Sequence, residues 1–234
     1  MTKRRLIALG AGLGVLFLIL FLPLSIAVDA SGLGGTLFSA RKAEGSVWNG
    51  TLRDVSIDGI PVGDVSARLS FWRLFRGHIA LTLNGVTDPG LRARLLASFS
   101  SYGVDGLNAR IAAPAAFAPL PVASLALTDL LTEIRGQSCV IAGGRIEAVV
   151  DGTMAGLPGQ IVLTGIPKCD GNVILAPLAS AGGREQLRMR IAPNGQYSFL
   201  LRVRPADTAI AERLRAIGFR ESAAGFDMEA SGRF

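Results

Sequence analysis

The sequence predicts a mainly β protein: an antiparallel meander forming a curved sheet, elongated or half-barrel-like, with one N-terminal transmembrane helix and one short C-terminal helix. Three observations predict this fold class. Apolar and polar residues alternate with a period of two in many short segments, a pattern typical of strands with one face in water. Dipeptides that favour tight turns, such as Asn84-Gly85 and Asn194-Gly195, separate those segments. A long uncharged segment precedes them all.

The uncharged segment, residues 6–28, reads LIALGAGLGVLFLILFLPLSIAV. At a rise of about 1.5 Å per residue it is long enough for a hydrocarbon core of roughly 30 Å. Three cations, Lys3, Arg4 and Arg5, precede it, and positive charge resists translocation. We therefore expect residues 1–5 in the cytoplasm, a single-pass anchor in the inner membrane and, beyond a linker over 29–40, a periplasmic body over 41–234. The alternative is a cleaved signal peptide, whose apolar region is usually shorter; both interpretations export the body.

The alternating segments of the body predict consecutive strands that pair as neighbours. They are Val65–Phe71, Ile79–Leu83, Leu91–Leu95, Ile146–Val150, Leu187–Ile191 and Tyr197–Val203. Because successive side chains of a strand point to opposite faces, each segment has one apolar and one polar face. A last strand, Phe226–Phe234, is expected to close the sheet.

Two segments interrupt the alternation of apolar and polar residues. Residues 112–122 contain three prolines, and since proline cannot donate to a strand ladder, we expect an edge or a link between two halves, 41–112 and 123–234. Near the end, Asp207 is a suitable cap for a helix that runs to Ile217 and stops at Gly218. One helix of about 16 Å cannot cover a large sheet, so the sheet folds on itself or leaves apolar surface exposed.

Two cysteines, Cys139 and Cys169, are the only ones in the chain. An even count in an exported protein favours a disulfide. Free buried thiols are the alternative. A bridge across about 30 residues would stabilise the fold by roughly 3–4 kcal/mol.

A tryptophan stands in the unusual stretch GSVWNGTL, residues 45–52. Asn49-Gly50 is a favourable pair for a two-residue hairpin turn, and Trp48 just before it can lay its ring across the end of the apolar face. We interpret Trp48 as a structural plug at a corner. The alternative is the mouth of a binding site.

The same stretch resembles the type II secretion system protein N family of Gram-negative bacteria. Members carry a G-x-V-W-x-G element, matched by Gly45, Val47, Trp48 and Gly50, followed by strands with an internal glycine, matched by Gly63. The stretch LTGIPKCDGNVIL, residues 163–175, and the helix ending in Gly218-Phe219 are also similar to the family. The resemblance covers most of the chain after Ala40, except roughly 91–131. It implies a bitopic inner-membrane protein with a periplasmic β-rich domain, an accessory part of the secretion machine, and no catalytic residues to transfer.

The sequence offers little for catalysis. His78 is the only histidine, on the polar side of an alternating segment, and a solvated strand residue explains it better than a catalytic base. Phosphate-binding, serine-hydrolase and paired-carboxylate motifs are absent. We expect no enzyme, no cofactor and no metal. The net charge of +6 without a stripe of cations and aromatics predicts no nucleic-acid partner.

Four arginines, Arg188, Arg190, Arg202 and Arg204, are predicted on the polar faces of two strands. They either form a solvated face or meet acidic partner domains or anionic lipid headgroups. Two functions follow as hypotheses. One is a structural component that contacts other subunits of the secretion system through strand edges and Arg-rich faces. The other is a periplasmic lipid-binding or lipid-transfer sheet with an uncovered apolar face.

Overall fold

The computed structural model of this protein describes residues 21–26, 38–57, 60–74, 76–112, 120–155 and 159–233. Within these ranges the fold is almost entirely strand. The strands are β1 (Phe38–Ser39), β2 (Lys42–Ser46), β3 (Asn49–Ile57), β4 (Ile60–Leu69), β5 (Ile79–Gly85), β6 (Arg92–Ala97), β7 (Ser101–Ile111), β8 (Val122–Arg135), β9 (Ser138–Asp151), β10 (Gln160–Gly165), β11 (Lys168–Asp170), β12 (Val173–Ala179), β13 (Glu185–Ile191), β14 (Gln196–Val203), β15 (Arg220–Ser222) and β16 (Gly225–Arg233). The helices are α1 (Phe71–Leu74) and α2 (Thr208–Ala216), with a 3₁₀ turn at Gly152–Ala155.

The sixteen described strands form one antiparallel sheet. Its order is β1-β3-β4-β5-β6-β7-β8-β9-β10-β12-β13-β14-β16-β15, with β2 beside β3 and β11 beside β12. Nearly every strand therefore pairs with the strands next to it in sequence, which confirms the predicted meander and the mainly β class. The alternating segments lie in β4, β5, β6, β9, β13 and β14, with two exceptions at their ends: Leu91 precedes β6, and β4 stops at Leu69 so that Phe71 begins α1.

The second part of the sheet curls so that its apolar face packs against itself. Its main core joins side chains of β8 to those of β13 and β14, and α2 adds Leu214, which is fully buried. The space between Leu125, Met189 and Phe199 is a cavity of only about 10 Å³. Of the two alternatives left by the sequence, the sheet folding on itself or leaving apolar surface exposed, the first describes this part of the open, curved sheet.

A smaller core lies at the other end of the strand order. Val47, Leu52, Val55 and Val65 are buried there together with Leu24 from the described N-terminal residues. Trp48 packs against this cluster, and its ring meets that of Phe71 edge-on with 5.0 Å between centroids.

The predicted turn at Asn49-Gly50 is wrong by two residues. Ser46 pairs with Asn49 and Gly45 with Gly50, so Val47 and Trp48 form the loop and Asn49 starts β3. Gly50 is required for space: a Cβ there would lie 2.6 Å from Leu24 Cδ2 and 2.8 Å from the Glu44 carbonyl oxygen. The residue that signals a turn in the sequence thus serves a close approach within the sheet.

Helix α2 matches its sequence signals closely. The Asp207 carboxylate caps it by accepting a hydrogen bond from the Ile210 amide at 2.8 Å, and Gly218 follows with φ +99°. Ile210 packs against the main core and Leu214 is buried in it, whereas Ile217, which caps the helix, is exposed.

The predicted anchor, 6–28, and linker, 29–40, lie mostly outside the described residues. Among the described residues no helix is long and apolar enough to cross a membrane. The proline-rich link also lies mainly outside them, since 113–119 are not described. On either side of it, β7 and β8 pair from Ser101 and Arg135 to Ile111 and Leu125, so the sheet continues between the two predicted halves.

The predicted disulfide is confirmed. Cys139 at the start of β9 is bonded to Cys169 in β11, with 5.5 Å between their Cα atoms. Because β11 pairs only with β12, the bond ties this short strand to the longer ladder.

Candidate partner-binding groove

A broad depression in the described surface lies on the outer, polar face of β13, β14 and β16. Cross-strand register fixes its floor. Arg188 stands beside Leu200, which stands beside Glu229. The next row along the strands is formed by Arg190, Ser198 and Ser231. The inner face of the same strands carries Leu187, Leu201 and Met228 into the core, so the alternation of each strand produces both the core and the groove.

Two adjoining cavities make up this groove. One, of about 830 Å³, is lined by Arg188, Arg190, Arg220, Glu229 and neighbouring residues. The other, of about 590 Å³, shares Arg190, Ser198 and Ser231 with it and extends to Arg233. Cations and anions both line the floor, so the groove fits a peptide with mixed polarity better than a bare anion.

One side of the groove is a strand edge that is open in the described chain. β15 pairs with β16 only at Gly225, Phe226 and Asp227. β14 covers the other side of β16 along its whole length to Arg233. Residues 228–233 therefore present unpaired backbone donors and acceptors along their outer edge. Phe219, the residue before β15, is buried in the core, and its amide donates to the Leu214 carbonyl of α2 at 3.0 Å.

The four predicted arginines separate into two groups. Arg188 and Arg190 line the groove, and Arg190 also contacts Asp170 at 3.4 Å in an exposed ion pair. Arg202 instead donates two hydrogen bonds, of 2.7 and 2.8 Å, to the Asp227 carboxylate. Arg204 donates from Nε to the Ala224 carbonyl at the β15–β16 turn. Of the four, only Arg188 and Arg190 thus line the groove.

The Arg202–Asp227 pair is structural. The side chains are only 24% and 16% exposed. The hydrogen bonds from Arg202 lower the pKa of Asp227, while partial burial opposes that shift. The same bonds raise the pKa of Arg202. Sequence reasoning missed Asp227 because the partners are 25 residues apart, and it missed Arg220 and Glu229 because only the register brings them to the groove.

The five residues of the family motif gather at the opposite end of the strand order. Gly45 and Gly63 have φ values of +85° and +84°, which glycine adopts without strain. Val47 is buried, Trp48 packs on the smaller core, and Gly50 admits Leu24. This arrangement agrees with the interpretation of Trp48 as a plug at a corner.

His78 lies apart from both regions. It is exposed and lines a shallow cavity of about 210 Å³ with Arg73 and Tyr102. Among the described residues, no three His, Cys, Asp or Glu side chains come together as a metal site would require.

Comparison with known families assigns the chain. The model of the type II secretion system protein N family matches residues 37–228. The chain belongs to the type II secretion system protein N family. As a member it is a component of that secretion system, and other subunits of the system are its expected partners. No curated protein and no solved structure matches it.

The matched range contains both regions described above. The motif at residues 45–50 and the arginines of the groove floor lie inside it, whereas 229–233 of the open edge lie beyond it. The protein N family assignment therefore covers the folded body from β1 to the start of β16, at residue 228.

Proposed function

We propose that this protein N family member is an accessory, structural component anchored in the inner membrane, whose periplasmic body holds another subunit of the secretion system. The anchor rests on residues 6–28, which carry no charge over a length that suits a bilayer. The export of the body agrees with the Cys139–Cys169 disulfide, because such bonds persist in oxidising compartments.

The observation that carries the proposal is the open edge of β16 beside the groove. An extended segment of a partner can pair with residues 228–233 as an additional strand. Its side chains on the outer face would continue the rows that contain Arg188 and Arg190, so an acidic or polar segment fits there. Main-chain pairing supplies affinity, and the arginine rows supply selectivity.

Membrane anchoring explains how a short strand edge can be enough for stable binding of a partner. Two proteins held in one membrane meet at a raised local concentration, so pairing of a single strand gives stable association without a large interface. The protein then acts by holding a partner in place.

Site-specific photo-crosslinking in secreting cells tests this proposal. A photoreactive amino acid replaces Glu229 or Ser231, both exposed on the open edge strand, and Arg145, exposed on the internal strand β9, serves as the matched control position. We expect crosslinks to a subunit of the secretion system from the two edge positions and none from position 145. Equal crosslinking from all three positions would contradict an edge-specific contact.

Proline substitution tests the backbone contact itself. Successive amides of a strand point to opposite sides, so one of Ala230→Pro and Ser231→Pro removes an outward donor and the other removes a donor to β14. The thermal melt tells which is which, because the inward variant loses stability. The outward variant is expected to stay folded and to lose partner capture. Retained capture by a folded outward variant would argue against strand addition.

The alternative, a lipid-binding or lipid-transfer sheet, has less support from the second half of the sheet, where the apolar face is filled by its own side chains. Mass spectrometry of the purified body for co-purifying lipid distinguishes the two functions. Stoichiometric lipid would favour the alternative.

A further inference from the structure

An apolar surface is exposed at the end of the sheet where β4 and β6 finish and β5 and β7 start. Trp72 of α1 is 77% exposed, and Phe99 between β6 and β7 is fully exposed. Leu74 is exposed beside them. The two loops form one surface, because a Cβ placed on Gly77 would lie 3.5 Å from Phe99 Cε2.

This surface is also cationic. Arg73 and Arg76 are exposed within the same loop as Trp72, and neither belongs to an ion pair among the described residues. No acidic residue occurs in the sequence from 65 to 87 or from 89 to 104. We call Trp72, Arg73, Leu74, Arg76 and Phe99 the aromatic–basic patch.

The patch adjoins the place where the uncharged N-terminal segment reaches the sheet. The Val47 amide donates to the Leu22 carbonyl at 3.1 Å, Pro23 bridges to Ser46, and Leu24 is buried in the smaller core. Residues 22–24 belong to the segment that the sequence predicts as an anchor.

A chain of ring contacts joins that junction to the patch. From the Val47-Trp48 turn, the Trp48 ring contacts Phe71 at 5.0 Å, and Phe71 contacts Trp72 at 5.9 Å. Residues 22–24 and the aromatic–basic patch therefore lie at the same end of the sheet.

We infer that the aromatic–basic patch rests on the surface of the anionic phospholipid bilayer that holds the anchor; this rests on the proposed function. Tryptophan is favoured at the headgroup level, where its ring is partly apolar and its N–H meets water. Arginine pairs with lipid phosphates, and anionic lipids attract nearby cations. The bilayer is the fitting occupant because a body tethered through residues 22–24 brings this end, and no other, against it.

Tryptophan fluorescence of the full chain in phospholipid vesicles tests the inference. The chain has two tryptophans, so Trp48→Phe leaves Trp72 as the sole reporter. The matched control is Trp48→Phe/Trp72→Phe/Val86→Trp. Val86 is exposed just after β5, and the length of that strand places it roughly 20 Å from the patch. Vesicles of phosphatidylglycerol and phosphatidylcholine with brominated acyl chains quench indoles at the bilayer.

We expect Trp72 emission to shift to the blue and lose intensity in brominated vesicles, with no loss for the control indole. Resistance to extraction at high pH reports on the anchor separately. An anchored protein whose Trp72 keeps the emission of an aqueous indole would overturn the inference and leave the anchor intact, and a protein partner would then be the occupant of the patch. If high pH extracts the protein from the vesicles, then both the predicted anchor and the inference that depends on it are wrong. Quenching of both indoles would also overturn the inference, since no particular end would then face the lipid.

A separate comparison of variants tests the contribution of the two arginines of the patch. Arg73→Gln/Arg76→Gln is compared with Arg92→Gln/Arg110→Gln, two exposed arginines near the opposite end of β6 and β7. We expect the first pair to abolish the extra quenching that phosphatidylglycerol gives over phosphatidylcholine alone, and the second pair to preserve it. Equal behaviour of the two pairs would overturn the electrostatic part of the inference.

Discussion

Tyr102 Oη donates a hydrogen bond to the carbonyl oxygen of Pro193 at 3.3 Å, although 91 residues separate them in sequence. Tyr102 lies in β7 and Pro193 lies in the turn between β13 and β14. In the sheet order β13 is five and β14 six positions from β7, so the contact shows how far the sheet curls.

Removing this hydrogen bond should have little effect on the curl. Tyr102 is half exposed, and a neutral hydrogen bond contributes about 0.5–1.5 kcal/mol net. We expect Tyr102→Phe to lower the free energy of unfolding by about 1 kcal/mol or less, because the packed core of β8, β13 and β14 maintains the shape. Urea denaturation measures the change. A loss of several kcal/mol would mean that the contact itself holds the sheet closed.

The Arg202–Asp227 pair should matter more. Its side chains are mostly buried and share two charge-assisted hydrogen bonds. We expect Asp227→Asn to lower the free energy of unfolding by about 1.5–3 kcal/mol. Asp170→Asn is the control, since its ion pair with Arg190 is exposed and surface pairs contribute little.

The same pair predicts a pH dependence. The pKa of Asp227 is lowered in the folded state, so its stabilisation is present above the ordinary aspartate pKa of about 4 and is lost as pH falls through the lowered value. Unfolding followed from neutral pH to about pH 3 should show a smaller loss of stability in Asp227→Asn than in the parent chain. Parallel pH curves for both proteins would contradict this assignment.

The disulfide should stabilise the second half of the sheet. It closes a loop with a sequence separation of 30, for which the chain-entropy model gives about 3–4 kcal/mol. We expect Cys139→Ser/Cys169→Ser to unfold at lower denaturant concentration than the oxidised parent. Reducing agent should shift the parent midpoint toward the variant and leave the variant unchanged. Identical midpoints in all four conditions would show that the bond is energetically silent.

Gly50 should be far less tolerant of a methyl group than Gly143. A Cβ at Gly50 would approach two backbone carbonyl oxygens within 3.0 Å, as well as Leu24. Gly143 in β9 has open space at that position and no positive φ. We expect Gly50→Ala to cost about 1–3 kcal/mol by overpacking and Gly143→Ala to be near neutral or slightly stabilising. Thermal melts of both variants compare them, and equal melting temperatures would refute the close approach.

Much of the fold could be predicted from local patterns. The alternation in Leu187–Ile191 and Tyr197–Val203 indicates a strand with one apolar face, and this pattern lies within each strand. The Asp207 cap likewise depends only on residues of its own helix. The predicted turn at Asn49-Gly50 is wrong because the glycine at position 50 instead allows the close approach of Leu24, a residue far away in sequence.

The candidate site was harder to predict. Alternation placed four arginines on polar faces, but it could not show that Arg202 meets Asp227, or that Arg188 stands in line with Glu229 two strands away. Those relationships depend on strand register, which is set by turns and by the core together. The open edge of β16 depends on how far β15 extends along it, and β15 pairs with only three of its residues.

The neighbour-to-neighbour order of the sheet bears on how the body is made. A polypeptide that emerges end first can complete each hairpin from residues already delivered, and local contacts of this kind favour rapid assembly. Each early strand of the described sheet can therefore form its backbone hydrogen bonds with a strand close to it in sequence. β16 pairs with β14 only after α2 and β15 have emerged, so among the described strands it is the last one to join the sheet. The edge that we propose for a partner strand therefore belongs to the described strand that is synthesised after all the other described strands.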